Sequence, residues 1–319
     1  MDPLLPDRMN QLDKERKSSM KKVPVIITCD LDPRPEVHLE NKRKSLEITG
    51  SLFNEYNIPA TFFLVGKMAE PYKHELKSFL YEGHEIGCHG MMHTAEEDFS
   101  KLTLNEARDV LNRATESISK VTGQRVVSFR GPRVKTSSVT QRALVELGYK
   151  ADLSVCSQRL DLISSNLINP GWLVAPRMPY RPHRNSPYRR GKTPLAVIPL
   201  SAAGLPFISG ILFVMGWAVI QALFRILYAE SRTTGKPIVY LLHGAEFSRP
   251  FRKPLTTHSL KDFTKTGFTF RYHLKSRRSP EERIMLTRRL FRYIAGFPGV
   301  EFMTASQYVD RYFEVLNRE

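Results

Sequence analysis

Short apolar runs alternate along this chain with longer segments whose apolar positions recur every three or four residues. That alternation is the pattern of strands and amphipathic helices. The run Val23–Asp32, VPVIITCDLD, reads as a strand covered on both faces, because Val25, Ile26 and Ile27 are consecutive, apolar and β-branched. Residues 40–57 then place Leu46, Ile48, Leu52, Phe53 and Tyr56 near one helical face, and ATFFLVG at 60–66 is a second buried strand. The spacing predicts a helix over 71–82 stopped by Gly83. A longer one over 103–121 is opened by Thr103 with Glu106 three residues on and closed by Gly123. Strands are predicted over 125–130, 149–156, 194–201, 237–243 and 300–304, and helices over 137–147, 280–295 and 305–316. Strands alternating with helices predict a parallel sheet, and enough of them an α/β barrel.

Three stretches break this rhythm. Residues 169–194 are rich in Pro, Arg and Tyr and read as a long basic loop, and 247–279 are again irregular and basic. Phe207–Phe224 runs for 18 residues without a charge, the lower bound for a membrane span. Pro206, Ser209, Gly210 and Gly216 interrupt it, so a buried loop and helix, or contact with one face of a membrane, are open readings. Residues 1–22 form a polar, mobile extension with no secretory signal, and Met20 is an alternative start. Residues 23–319 are then one domain, with the basic loop at about 169–194 and the apolar loop and helix at about 206–229.

The net charge of +16 favours acidic partners, among them an anionic membrane surface or an anionic ligand. No zinc-finger spacing, homeodomain helix or RRM-like aromatic motif is present, so nucleic acid is not an expected partner. Cys29, Cys88 and Cys156 are an odd number of cysteines without paired spacing. Buried, reduced thiols follow, and with them a reducing compartment: the cytoplasm, or the cytoplasmic face of the membrane.

Candidate chemistry sits at predicted strand ends. Asp30 and Asp32 share one side of an extended chain, and such close like charges call for a cation or a proton between them. Pro33 directly after them also allows an Asx turn. His89 and His93 are four apart, one helical turn, as in paired metal-binding histidines. With Asp32 they make a two-histidine, one-carboxylate set that suits zinc with an open water position, or non-haem iron. Asp30 is then the free base beside them. Arg130 ends a strand in FRGP, either as a surface cation or as the group orienting Asp30. His243 ends another in LLHGAE, either as a capping residue or as a general acid. In a parallel barrel these strand ends meet on one face.

Taken in order, TCDLD, HGMMH, FRGP, LGYKADLS and LLH resemble the motifs of the polysaccharide deacetylase family, the NodB-homology or carbohydrate esterase family 4 enzymes. The resemblance implies an α/β fold, a distorted (β/α)7-type barrel of mostly parallel strands. It implies one divalent metal ion, usually zinc, and removal of an acyl group, most often acetyl, from an amino-sugar amide. The sugar belongs to a polysaccharide, an oligosaccharide or a lipid-linked glycan. Carried over residue by residue, Asp30 is the base, Asp32, His89 and His93 hold the metal, Arg130 orients the base and His243 is the acid. Pro132, Asp152 and Glu246 are candidate substrate-binding residues; Trp172 and Trp217 read as core. The chain departs from the pattern at Leu31, which separates the aspartates, at Pro33, at Gly90 after the first histidine, and at Ala245 and Glu246 after His243. Related barrels hydrolyse small non-sugar amides, which is the alternative activity. A non-catalytic membrane-associated binding protein is a further alternative. The resemblance also places 206–229 on the outside of the barrel.

Overall fold

The computed structural model describes residues 21–159, 169–248 and 278–313. Most of the expected polar extension and most of the basic stretch 247–279 lie outside the described residues.

Strand β1 (Val23–Leu31) is the hub of the sheet, and every one of its residues is buried. It pairs in parallel with β2 (Ala60–Leu64) on one side and β11 (Ile238–His243) on the other. From β2 the sheet continues in parallel through β3 (Glu85–Cys88), β4 (Ser128–Phe129), β5 (Ala151–Asp152) and β8 (Ala196–Val197). A short strand, β12 (Val300–Phe302), pairs with the first residues of β1. These seven curled strands from β11 to β8, with helices between them, form a distorted (β/α)7 barrel. The chain after β8 spans the remaining gap. Leu200 N–H donates to Val155, while Ser201 N–H and Leu241 N–H tie 201–207 to β11 through Val239 and Phe207 carbonyls.

The helices between strands follow their sequence signals. They are α1 (Leu39–Glu55), α2 (Lys73–Tyr81), α3 (Leu104–Thr122) and α4 (Ser138–Glu146). Helix α3 has the reciprocal capping box of Thr103 and Glu106, and Gly123 ends it in the left-handed conformation. The segment 169–194 is more ordered than a loop. It holds a short helix, α5 (Pro170–Val174), and a hairpin of β6 (Pro182–His183) and β7 (Ser186–Arg190). Tyr180 anchors it by bridging to Val197.

After the small β9 (Ala202–Ala203) and β10 (Leu205–Pro206) pair, the uncharged stretch splits into α6 (Ser209–Met215) and α7 (Trp217–Thr234). Gly216, at φ 84°, makes the corner between them. Among the described residues no helix is long and apolar enough to cross a membrane. Helix α8 (Pro280–Ala295) packs beside α6 and α7, and α9 (Ala305–Tyr308) follows β12.

Candidate metal and catalytic site

The C-terminal ends of β1, β3, β4 and β11 bring Asp30, Asp32, His89, Arg130 and His243 to one end of the barrel. Register does much of this: Asp30 lies directly beside His243. His93 arrives differently. The spacing predicts a helical turn for His89–His93, but these residues are non-helical. His89 follows β3, and the chain then turns through Gly90 at φ 78° and His93 at φ 58°.

Glu97 builds that turn. Its buried carboxylate accepts the backbone N–H groups of Met91, Met92 and His93. A Cβ on Gly90 would stand 2.8 Å from Glu97 Oε1, so the position takes no side chain. Sequence reading missed Glu97, whose one signal is an acid four residues past the second histidine.

The aspartates have separate partners. Asp30 Oδ1 accepts from Arg130 Nη1 at 2.9 Å, and Asp30 Oδ2 lies 3.9 Å from His89 Nε2. Arg130 is fully buried, donates also to Thr28 Oγ1 and to the Leu153 carbonyl, and stacks over Phe63. Asp32 Oδ1 lies 3.4 Å from His89 Nε2 and 3.5 Å from His93 Nε2. Its other oxygen faces Arg34 Nε at 3.7 Å. Arg34 sits at φ 41° and joins Asp32 to Glu36. Burial raises the Asp32 pKa, but the adjacent His89 imidazole and the charges of His243, His93 and Arg34 outweigh it and hold the carboxyl far below its usual range. Burial lowers the His89 pKa, and the carboxylates of Asp30 and Asp32 reverse that and raise it; for His93 burial wins and lowers it.

Asp32, His89 and His93 fit a divalent ion on three observations. Their ligand atoms all lie within 4.8 Å of one another. Asp32 Oδ1 is buried with no hydrogen-bond partner, an expensive state for a carboxylate oxygen unless a cation takes it. His89 Nδ1 meets the Arg130 carbonyl at 2.6 Å. Since a carbonyl only accepts, Nδ1 carries the hydrogen and Nε2 keeps its lone pair for a metal. The Oδ1-to-Nε2 separations are also close to the edge of a zinc tetrahedron, about 3.3 Å for ligands near 2 Å.

His243 is half-buried and its Nδ1 donates to Glu246 Oε1 at 3.2 Å. The same oxygen accepts from Ser209 Oγ at 2.7 Å, so the first residue of α6 braces this pair. Gly244 packs tightly, since a Cβ there would meet the Leu31 and Leu46 side-chain ends at 2.6 Å and push them aside.

Other sequence candidates take structural places. Asp152 is fully buried and accepts from Ser154 N–H, Thr136 Oγ1 and Gln141 Nε2. It ties β5 to α4 and has no surface for a substrate, contrary to expectation. Pro132 is buried in a tight turn with Arg133 and Val134 left-handed at φ 59° and 57°. Arg177, within the basic stretch 169–194, is engaged internally by Glu230, Gln158 and the Ala202 carbonyl. Trp172 is core, whereas Trp217 is half-buried on the outside.

Residues 17–151 match a family model described as polysaccharide deacetylase. The peptidoglycan deacetylase of Helicobacter pylori is 33% identical over 104 residues, 33% of this chain and 34% of that protein. The chain thus matches about a third or less of the length of the curated relatives. Two solved structures share the fold across the chain. A putative polysaccharide deacetylase from Mycobacterium smegmatis superposes with a TM-score of 0.60 at 16% identity, covering 92% of each chain. Puue allantoinase gives 0.57 at 16% identity, covering 91% of each.

Proposed function

We propose that this chain, related through residues 17–151 to the polysaccharide deacetylases, is a metal-dependent hydrolase that removes an N-acetyl group from an amino-sugar of a glycan. The observation that carries this reading is the meeting of Asp32 Oδ1 with His89 and His93 Nε2 at 3.4 and 3.5 Å, next to an Asp30 held apart by Arg130. The peptidoglycan deacetylase relative supports a glycan substrate.

Asp32, His89 and His93 would hold the ion, and their donor set favours zinc. A bound ion of this kind polarises an amide carbonyl and lowers the pKa of water. Asp30 is oriented by Arg130 through Oδ1, which leaves Oδ2 to take a proton from the attacking water. The water oxygen bonds to the carbonyl carbon. His243, with Nδ1 engaged by Glu246, offers Nε2 to hand a proton to the amide nitrogen as its bond to carbon breaks. The products are acetate and a free amine.

Acetate release from N-acetylglucosamine oligomers, with zinc or cobalt supplied, tests this. Release that stops in Asp30→Asn while the ion stays bound is expected. Release that persists in Asp30→Asn, or after chelation, contradicts it. The allantoinase of like fold makes small cyclic amides the comparison substrate. Turnover of those in place of the oligomers would transfer the same machinery to a non-sugar amide.

A further inference from the structure

The corner between α6 and α7 has the chemistry of a lipid-facing surface. Met215, at the end of α6, is 45% exposed, and Ile226 on α7 is 56% exposed. Ala218, Ala222 and Ala229 extend the outward face of α7, and Arg225 is the charged residue among them. A helix face in water normally carries more charge than this. Met285, one turn before Arg289 on the adjoining α8, is 60% exposed.

Cations surround the corner. The Arg289 guanidinium stacks 4.1 Å from the Trp217 ring centre. Arg278 Nε donates to the Phe213 carbonyl at 2.7 Å, and its Nη2 lies beside Gly216. Arg225 donates to Tyr293, and Arg292 is exposed. Acids are sparse. The sequence has none from Leu162 to Ala229. At the rim stand Glu281 and Glu282, and Glu282 is engaged in the cap of α8.

We propose that this face docks on an anionic lipid bilayer, with Met215, Trp217 and Ile226 entering the headgroup region and the arginines meeting lipid phosphates. Apolar tips within a basic rim are what an interfacial helix uses. A second copy of the chain suits the face poorly, since a two-fold pair would bring the same arginines together. The position also bears on the proposed site. Ser209 opens α6 and bonds Glu246, and the seven residues of α6 span only about 10 Å. A docked chain would therefore hold His243 near the headgroups, where an amino-sugar on a lipid carrier is in reach. That consequence rests on the functional reading above; the docking does not.

Flotation of the full chain with lipid vesicles tests the docking without any turnover. Vesicles of phosphatidylcholine alone are compared with phosphatidylcholine and phosphatidylglycerol at about 2:1, and anionic vesicles should carry about tenfold more protein, less at high salt. Brominated lipid should quench fluorescence from Trp217, because Trp172, the other tryptophan, is only 2% exposed. The double variant Met215→Glu with Ile226→Glu should melt at the wild-type temperature and stay unbound. Failure of the wild type to float overturns the proposal. So does equal flotation of the double variant, which would assign binding to basic groups elsewhere, such as the 181–192 hairpin. A wild-type dimer that Ile226→Glu splits would also overturn it, assigning the face to a second copy.

Discussion

At the scale of single residues, Glu97 shows how much of a metal site lies outside its ligands. Three successive backbone N–H groups converge on its carboxylate, and the last belongs to His93. Removing the carboxylate frees a turn in which His93 holds a left-handed conformation unfavourable for a non-glycine residue. Glu97→Ala should lower metal affinity by about 10- to 100-fold, the usual cost of losing such a supporting group, as read by competition with a chromophoric chelator. His243 sits on the other side of the site. His243→Ala should keep the ion and lose about 10²- to 10⁴-fold in turnover, while Glu246→Gln should retain part of the rate with an altered pH profile. Asp30, Asp32, Arg130 and His243 were legible in the sequence because chemically distinctive side chains stood at predicted strand ends. His89 and His93 were legible by their spacing of four, although the helical turn that spacing suggests does not form and β3 before them was not predicted. Glu97 and Ser209 were not. Their partners are loop amides and a carboxylate distant in sequence, and no periodicity records either. Asp152 misled for the opposite reason: an acid within a motif-like segment looked functional, and only the packing of α4 against β5 shows its three donors.

At the scale of elements, α3, α4 and α8 were legible nearly to the residue, because caps and glycine stops are local signals. Strands were less so. The predicted strand over 125–130 forms ladder pairs only at Ser128–Phe129. Gly131 N–H turns instead to Ser154 Oγ, and Pro132 begins a tight turn. His84 supplies a test of how β2 and β3 are held. It is buried against Phe53, Phe62 and Phe79, and its Nδ1 accepts the Ala60 N–H at 3.1 Å. Burial lowers its pKa, with Glu82 opposing. The unfolded chain therefore takes up this proton more readily than the folded one. The stability that His84 contributes is present above its unfolded pKa of about 6.5 and is lost as pH falls through the lower folded value. Melting temperature should drop as pH is lowered from about 7.5 to 5, and His84→Gln should flatten that slope. An unchanged slope in the variant would assign the acid sensitivity to other groups.

At the scale of the whole molecule, the alternation of strands and helices was enough to predict the barrel, but not how it closes. Closure depends on irregular backbone at 198–208, where a serine side chain and scattered amides replace a regular strand pair. The fold delivers four strand ends to one rim, and there one carboxylate pairs with an arginine while the other faces two histidines. The central claim is that division of labour between Asp30 and Asp32. Metal content per chain, measured after zinc loading and gel filtration, tests it most directly. The expected result is one ion in the wild type and in Asp30→Ala, and none in Asp32→Ala; a wild type without an ion, or an Asp32→Ala variant that keeps it, would contradict the account.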